Sequence, residues 1–478
     1  MERYAELLAR RDFLRHWAAG IGMIALWNLL ARDGYAEPAA GSISNPLAPR
    51  KPHFTPRAKN VIFLFMEGGP SQIDLFDPKP EMAKLDGQSL PESMRKNLRF
   101  AFIKPTSKVW ASRRKFQPCG QSGMQFSDWL PHLSACADDL CMVRSMFSDQ
   151  FNHHPGQLLL HCGSPLVGRP SMGSWLLYGL GSESQNLPGF VVLTSGHGSF
   201  SSSGLFTSGF LPSLYQGVPF ASTGDPIAYL SNPPGVTQDE QRARLDTLRT
   251  LNEKHWRQTG DAEIASRIAS YELAFRMQSA APELLDLSKE SSGTLEMYGV
   301  HREPTHAYAR NCLMARRLVE RGVRFVLVSH SSWDDHANLL SGHKKNCEIT
   351  DQPTAALMKD LKQRGLLKET IVIWGGEFGR TPLAQTAQPG REAVTGRDHH
   401  PDAFTMLLAG GGIKGGLTFG RTDDLCMKIL EDKVHIHDLH ATLLACLGLN
   451  HEQLTYRYQG RNFRLTDVAG NVVKPMLV

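Results

Sequence analysis

The sequence predicts an α/β protein in which a mostly parallel β-sheet lies between helical layers. Three observations lead there. Several apolar runs have strand length and no alternation, as strands buried on both faces do: Asn60 to Met66, Val323 to His330, Thr370 to Trp374 and Phe404 to Ala409. Stretches of helical spacing separate them, which is the pattern of parallel strands joined by crossovers. Most runs break abruptly into glycine-rich polar turns, such as Glu67-Gly68-Gly69-Pro70 and Gly375-Gly376-Glu377. Ligands of open α/β sheets sit where loops leave the carboxyl ends of such strands.

The N-terminus stands apart from this pattern. Arg10-Arg11-Asp12-Phe13-Leu14-Arg15 precedes an apolar stretch from Ala18 to Leu30, with small residues at Ala36, Ala39 and Ala40. These are the charged, apolar and cleavage regions of an export signal, and the paired arginines resemble the twin-arginine type. The apolar stretch is short for a membrane span, which takes about 20 residues. We therefore expect a signal peptide over residues 1–40, a Pro-rich linker over 41–59 and one α/β domain over 60–478, exported to the periplasm or cell exterior of a bacterium. No later stretch is apolar enough to cross a bilayer.

At 478 residues the chain can bury a large core, and its formal net charge of +5 is spread in mixed signs. No basic block suited to nucleic acid is present. Eight cysteines are scattered without a C-x-x-C pair, which argues against a zinc ribbon and leaves disulfides open after export.

Further strands are expected at Leu140 to Met146 and Phe190 to Thr194, the latter before a Gly/Ser-rich loop, and Gly168 to Leu176 should be a loop entering a helix. Residues of about 238–321 turn to Arg, Glu, Leu and Ala at helical spacing and are expected as a helical insertion. A helix is expected from Gln352 to Lys362. Another begins near His437, with Asp438 as its N-cap and His437 and His440 in structural roles. The turn from Gly410 to Gly416 lacks the Gly-Lys-Ser/Thr ending of a phosphate-cradling loop.

Three clusters carry the chemistry. Asp334-Asp335-His336 follows a buried strand and is either a ligand pair or a turn with an Asx cap. Glu377 is either a ligand or the partner of Arg380. Asp398-His399-His400 lies in a loop bounded by Gly396 and Pro401, with one histidine expected as a ligand and the other supporting it or facing substrate. Together they point to a divalent metal. Mixed imidazole and carboxylate ligands favour zinc, with manganese, iron or calcium as alternatives. Asn152-His153-His154 either faces the same crevice or caps a helix.

Phe63 to Pro80 (FLFMEGGPSQIDLFDPKP), Asn152-His153, Gly168 to Trp175, Trp333 to His336, Gly376 to Arg380, Gly396 to Pro401 and Tyr456 to Asp467 (YRYQGRNFRLTD) together resemble the bacterial family called domain of unknown function 1501. That family is grouped with the alkaline phosphatase and sulfatase superfamily. The resemblance implies an alkaline phosphatase-like fold and metal-dependent hydrolysis of phosphate or sulfate monoesters, on small molecules or polysaccharides. It implies that Asp334, His336 and one of His399 or His400 hold a metal, that Glu377 replaces the usual Asp-His pair, and that Glu67 or Asp74 stands for the first-strand Asp. Arg380, Arg397 and Asn152 would bind the anionic group, and His153 or His154 would act as acid or base. The usual nucleophile is missing, since that region reads Ser148-Asp149-Gln150-Phe151. Ser145, Ser148 or a metal-activated water would attack, or the chain is a catalytically silent binding or assembly protein.

Overall fold

The computed structural model describes residues 45–95, 100–196, 202–221, 227, 230–385 and 394–478; the export signal expected over residues 1–40 falls outside them. Its centre is a nine-stranded sheet. In chain order the strands that matter are β1 (Asn60–Met66), β2 (Leu140–Phe147), β3 (Phe190–Ser195), β4 (Val218–Phe220), β5 (Phe325–His330), β6 (Thr370–Gly375), β7 (Gly379–Gln385), β8 (Gly396–His400), β9 (Phe404–Ala409), β10 (Leu417–Phe419) and β11 (Val434–His435). Across the sheet the order is β10-β2-β9-β6-β1-β5-β3-β4, with β11 also pairing with β2. Only β9 runs against its neighbours, so the sheet is mixed but mostly parallel.

β1 is central. Leu64 pairs with Val328 on β5 and with Trp374 on β6, and every residue of β1 is buried. A strand covered on both faces has no polar side, which is why its sequence shows no alternation.

Helices cover the sheet. α1 (His153–Cys162) lays His161 on Phe63 with ring centres 5.1 Å apart. α2 (Met172–Leu180) follows Ser171 as expected. α3 (Gln238–Thr259) starts at a capping box between Thr237 and Glu240 and packs with α4 (Ala262–Leu285) as a hairpin. α5 (His306–Glu320) instead lies on the sheet, where Asn311 donates to the carbonyl of Thr194 on β3. α6 (Leu339–Gln363) begins well before the expected Gln352. Its first half is held by buried polar residues, His343 and Asn346 among them, which carry no apolar periodicity.

Two local expectations are corrected. Asp398-His399-His400 is not in a loop. It lies on β8, which pairs antiparallel with β7, placing His399 opposite Arg380 and His400 opposite Gly379. Buried arginines and histidines pin this hairpin, and hydrophobic patterning cannot report them. α7 (Ile436–Cys446) is capped by His435, and Asp438 closes the capping box three residues on by accepting from the His435 amide. All eight cysteines are free thiols. Among the described residues no helix is long and apolar enough to cross a membrane.

Candidate metal centre

The carboxyl ends of β1, β5 and β6 meet the start of α1 and strand β8. Two glycines let the backbones approach. Gly68 leaves β1 with φ of 114°, and a Cβ there would lie 2.5 Å from the Asp334 amide nitrogen. A Cβ on Gly396 would lie 2.2 Å from the carbonyl carbon of His336. The turn after β1 and the start of β8 therefore hold the Asp334-to-His336 loop between them.

In that space His153, Asp334, His336 and His399 converge, each offering one ligand atom, with all four atoms within 4.8 Å of one another. His336 Nε2 is 3.0 Å from Asp334 Oδ1 and 2.9 Å from His399 Nε2. His153 Nε2 is 3.2 Å from Asp334 Oδ2. The far nitrogen of every ring meets an oxygen: His153 Nδ1 meets Glu377 Oε1 at 2.6 Å, His336 Nδ1 meets Gln385 Oε1 at 2.6 Å, and His399 Nδ1 meets the carbonyl of Phe151 at 2.7 Å. An oxygen of this kind can only accept, so each Nδ1 donates. In the neutral form that a metal requires, each ring turns the lone pair of Nε2 inward, which is how metal-binding histidines are oriented.

The charges suit a cation. Burial opposes ionisation of Asp334, but the close imidazoles of His153, His336 and His399 and the Arg380 charge outweigh it and hold the carboxyl far below the usual range. Burial also pushes His153 down, yet its bonds to Asp334 and Glu377 prevail and raise it to about 9. For His399 burial wins, aided by the charges of Arg380, His153 and His336, and its pKa falls to about 4. One carboxylate and three imidazole nitrogens fit a divalent ion of the zinc class.

The other candidates are placed differently. Arg380 is fully buried, and its guanidinium is engaged by Asp334 at 2.6 Å and by the carbonyls of Gly68, Gly69, Trp333 and Arg397. It holds a cluster carboxylate and is not open to an anionic substrate. Arg397 is equally buried, bonded to Asp74 at 2.8 Å and to the carbonyl of Thr381. Asp74 is thereby the partner of an arginine, outside the cluster. Asp398 accepts from the amides of Phe102, Ile103 and His399. His400 turns away and meets the carbonyl of Cys426 at 2.8 Å, in the core. Glu377 bonds His153, the Gly68 amide and Gln157, not Arg380. Glu67 also accepts from Gln157, at 3.2 Å. Ser148 is buried and its hydroxyl accepts from the Gln150 amide in a local turn. Asn152 and His154 flank His153 at the start of α1, and Asn152 is its N-cap residue.

Sequence reasoning missed Gln385, the Phe151 carbonyl and Phe102, whose ring edge stands 5.1 Å from His336 and 5.5 Å from His399 between ring centres. A lone Gln ending a strand and a backbone carbonyl leave no pattern. His153, expected as an acid or base, stands with the ligand atoms.

Solved structures similar to the chain share little sequence with it. The PsFucS1 sulfatase from Pseudoalteromonas sp. is 12% identical with a TM-score of 0.37, over 89% of this chain and 70% of that one. An alkaline phosphatase superfamily protein from Vibrio parahaemolyticus is 10% identical with a TM-score of 0.35, over 90% and 76% of the two chains. A phosphonate monoester hydrolase from Silicibacter pomeroyi is 10% identical with a TM-score of 0.35, over 88% and 76%. A shared activity does not follow from similarity at this level. No curated protein matches the chain. The family model described as protein of unknown function (DUF1501) matches residues 58–477, and the chain belongs to that family.

Proposed function

We propose that the protein is an exported hydrolase of phosphate or sulfate monoesters that works with one divalent cation, zinc for preference, held by His153, Asp334, His336 and His399. The observation that carries this is the convergence of three imidazoles on one carboxylate, each with its outer nitrogen committed to an oxygen acceptor. A cation bound there supplies Lewis acidity toward an ester oxygen and lowers the pKa of water.

The protein's own groups do the rest. Arg380 fixes Asp334, and Glu377 fixes His153, so the donors are set before a cation arrives. Ser148 faces a local turn, and Ser145 is fully buried with its hydroxyl donating to the Asp432 carbonyl at 2.5 Å, which favours water as the nucleophile. His154, beside His153 on the first turn of α1, is our candidate for moving a proton to the leaving oxygen. Asn152 at the same helix start is the candidate contact for the anionic group. A second reading, a catalytically silent binding or assembly protein, is favoured by the burial of both Arg380 and Arg397, which leaves neither guanidinium to an ester.

Turnover of aryl phosphates and aryl sulfates, measured on metal-loaded and chelator-stripped protein, tests this. Loss of turnover on stripping and in Asp334→Ala supports hydrolysis; a protein that holds its metal but turns over neither ester supports the silent reading. Export is tested by Arg10→Lys with Arg11→Lys, which should leave the protein in the cytoplasm.

A further inference from the structure

β3 and β5 end side by side, and their register pairs Ser195 with His330. There Ser195 Oγ lies 3.0 Å from His330 Nδ1, and His330 Nε2 lies 3.3 Å from Asn346 Oδ1 on α6. The tautomer is set from the far end of this chain. Asn346 Nδ2 donates to the carbonyl of Ser332 at 2.6 Å, which turns its Oδ1 to the imidazole. An amide oxygen can only accept, so His330 carries its proton on Nε2 and offers the lone pair of Nδ1 to the serine. Burial holds the ring pKa at about 4, with the bond to Asn346 opposing, so the ring is neutral at neutral pH and its Nδ1 lone pair is free of a proton.

Burial is graded along the three residues. His330 and Asn346 are each 3% exposed, whereas Ser195 is half-buried and Gly196 beyond it is exposed. Gly196 turns the chain with φ of 86°, and a Cβ there would lie 2.7 Å from Ser331 Oγ. Tyr308 packs against the imidazole with ring centres 5.4 Å apart. The carbonyl of Ser329, at 3.4 Å, is a poorer partner for the Ser195 hydroxyl. A hydroxyl at the rim, a buried base within reach and a buried amide orienting that base is the arrangement of an activated nucleophile. It stands at the carboxyl end of parallel strands and shares no residue with the metal cluster.

We propose that Ser195, His330 and Asn346 form a second catalytic constellation, acting on carboxylic esters by acyl transfer through the serine. Ser195 Oγ bonds to the acyl carbon as its proton passes to His330 Nδ1. The bond from that carbon to the alcohol oxygen breaks, and the alcohol leaves with the proton from Nδ1. Water then adds to the acyl carbon and gives a proton to Nδ1, and Ser195 Oγ departs, recovering that proton and releasing the acid. Ser195 is the catalytic nucleophile, His330 the base and Asn346 a positioning residue.

The test treats the full chain, stripped of metal, with a fluorophosphonate probe and maps adducts by peptide mass spectrometry. One adduct is expected, on Ser195, absent in Ser195→Ala and formed at least about tenfold more slowly in Asn346→Leu. No adduct on Ser195 in the unaltered protein overturns the proposal, as does an unchanged rate in Asn346→Leu. Because Asn346 is buried and its replacement puts the fold at risk, Ser195→Cys supplies a second measurement. Its introduced thiol should react with iodoacetamide at pH 7 at least about tenfold faster than free cysteine. A thiol no faster than free cysteine overturns the proposal independently of the probe.

Discussion

His336 Nε2 and His399 Nε2 stand 2.9 Å apart while the outer nitrogen of each ring is committed to Gln385 or to the Phe151 carbonyl. Two inward lone pairs at that separation repel unless a cation lies between them, so the pair is poised to receive one. His153, raised to about 9, carries a proton at neutral pH that a cation must displace. Zinc binding at pH 7 is therefore expected to release about one proton per ion. Titration calorimetry in two buffers of different ionisation enthalpy measures this, and a buffer-independent heat would show that His153 gives up nothing.

Gln385 touches the cluster only through His336 Nδ1, at 2.6 Å. Removing such an outer acceptor usually lowers metal affinity by about 10–100-fold. Gln385→Leu should show that loss in competition with a chromophoric chelator, with circular dichroism unchanged.

The metal-free protein should lose stability in alkali. The folded pKa of His153 lies above its ordinary value of 6.5, so its contribution is complete below about 6.5 and disappears as pH rises through about 9. A shift of this size corresponds to about 3 kcal/mol. Asp334 acts at the other end: its folded pKa is depressed, so its contribution is present above the unfolded carboxylate value and lost only in acid. Urea midpoints between pH 6 and pH 10 should fall, and fall less once zinc occupies the cluster.

Arg380 is fully buried against Asp334 and four backbone carbonyls. Arg380→Met fills much of the volume but leaves those acceptors without their donor. Removing one partner of a buried ion pair costs about 3–5 kcal/mol, and a loss of that order is expected in denaturant unfolding. A near-neutral result would mean that the guanidinium is not needed to hold the cluster carboxylate.

The strands were legible because burial on both faces removes alternation, so β1 and β9 match their apolar runs residue for residue. β7 and β8 were not, since Gly396-Arg397-Asp398-His399-His400 carries no apolar signal and is held by Arg380 and Arg397 from within. The same blindness divided the site. Asp334, His336 and His399 follow from acids and imidazoles clustered near strand ends, but nothing local separates His399 from its neighbour His400. Only the alternation of β8 does so, sending one ring to Asp334 and the other to Cys426. Ser195 was passed over for a similar reason, because its partners lie 135 and 151 residues away in sequence, at His330 and Asn346.

The most direct test of the metal centre is a crystal of the protein grown with zinc and measured above and below the zinc absorption edge. One anomalous peak is expected, about 2.0–2.2 Å from Nε2 of His153, His336 and His399 and from an oxygen of Asp334. A peak bound elsewhere, or none at this cluster in zinc-saturated protein, would contradict the assignment.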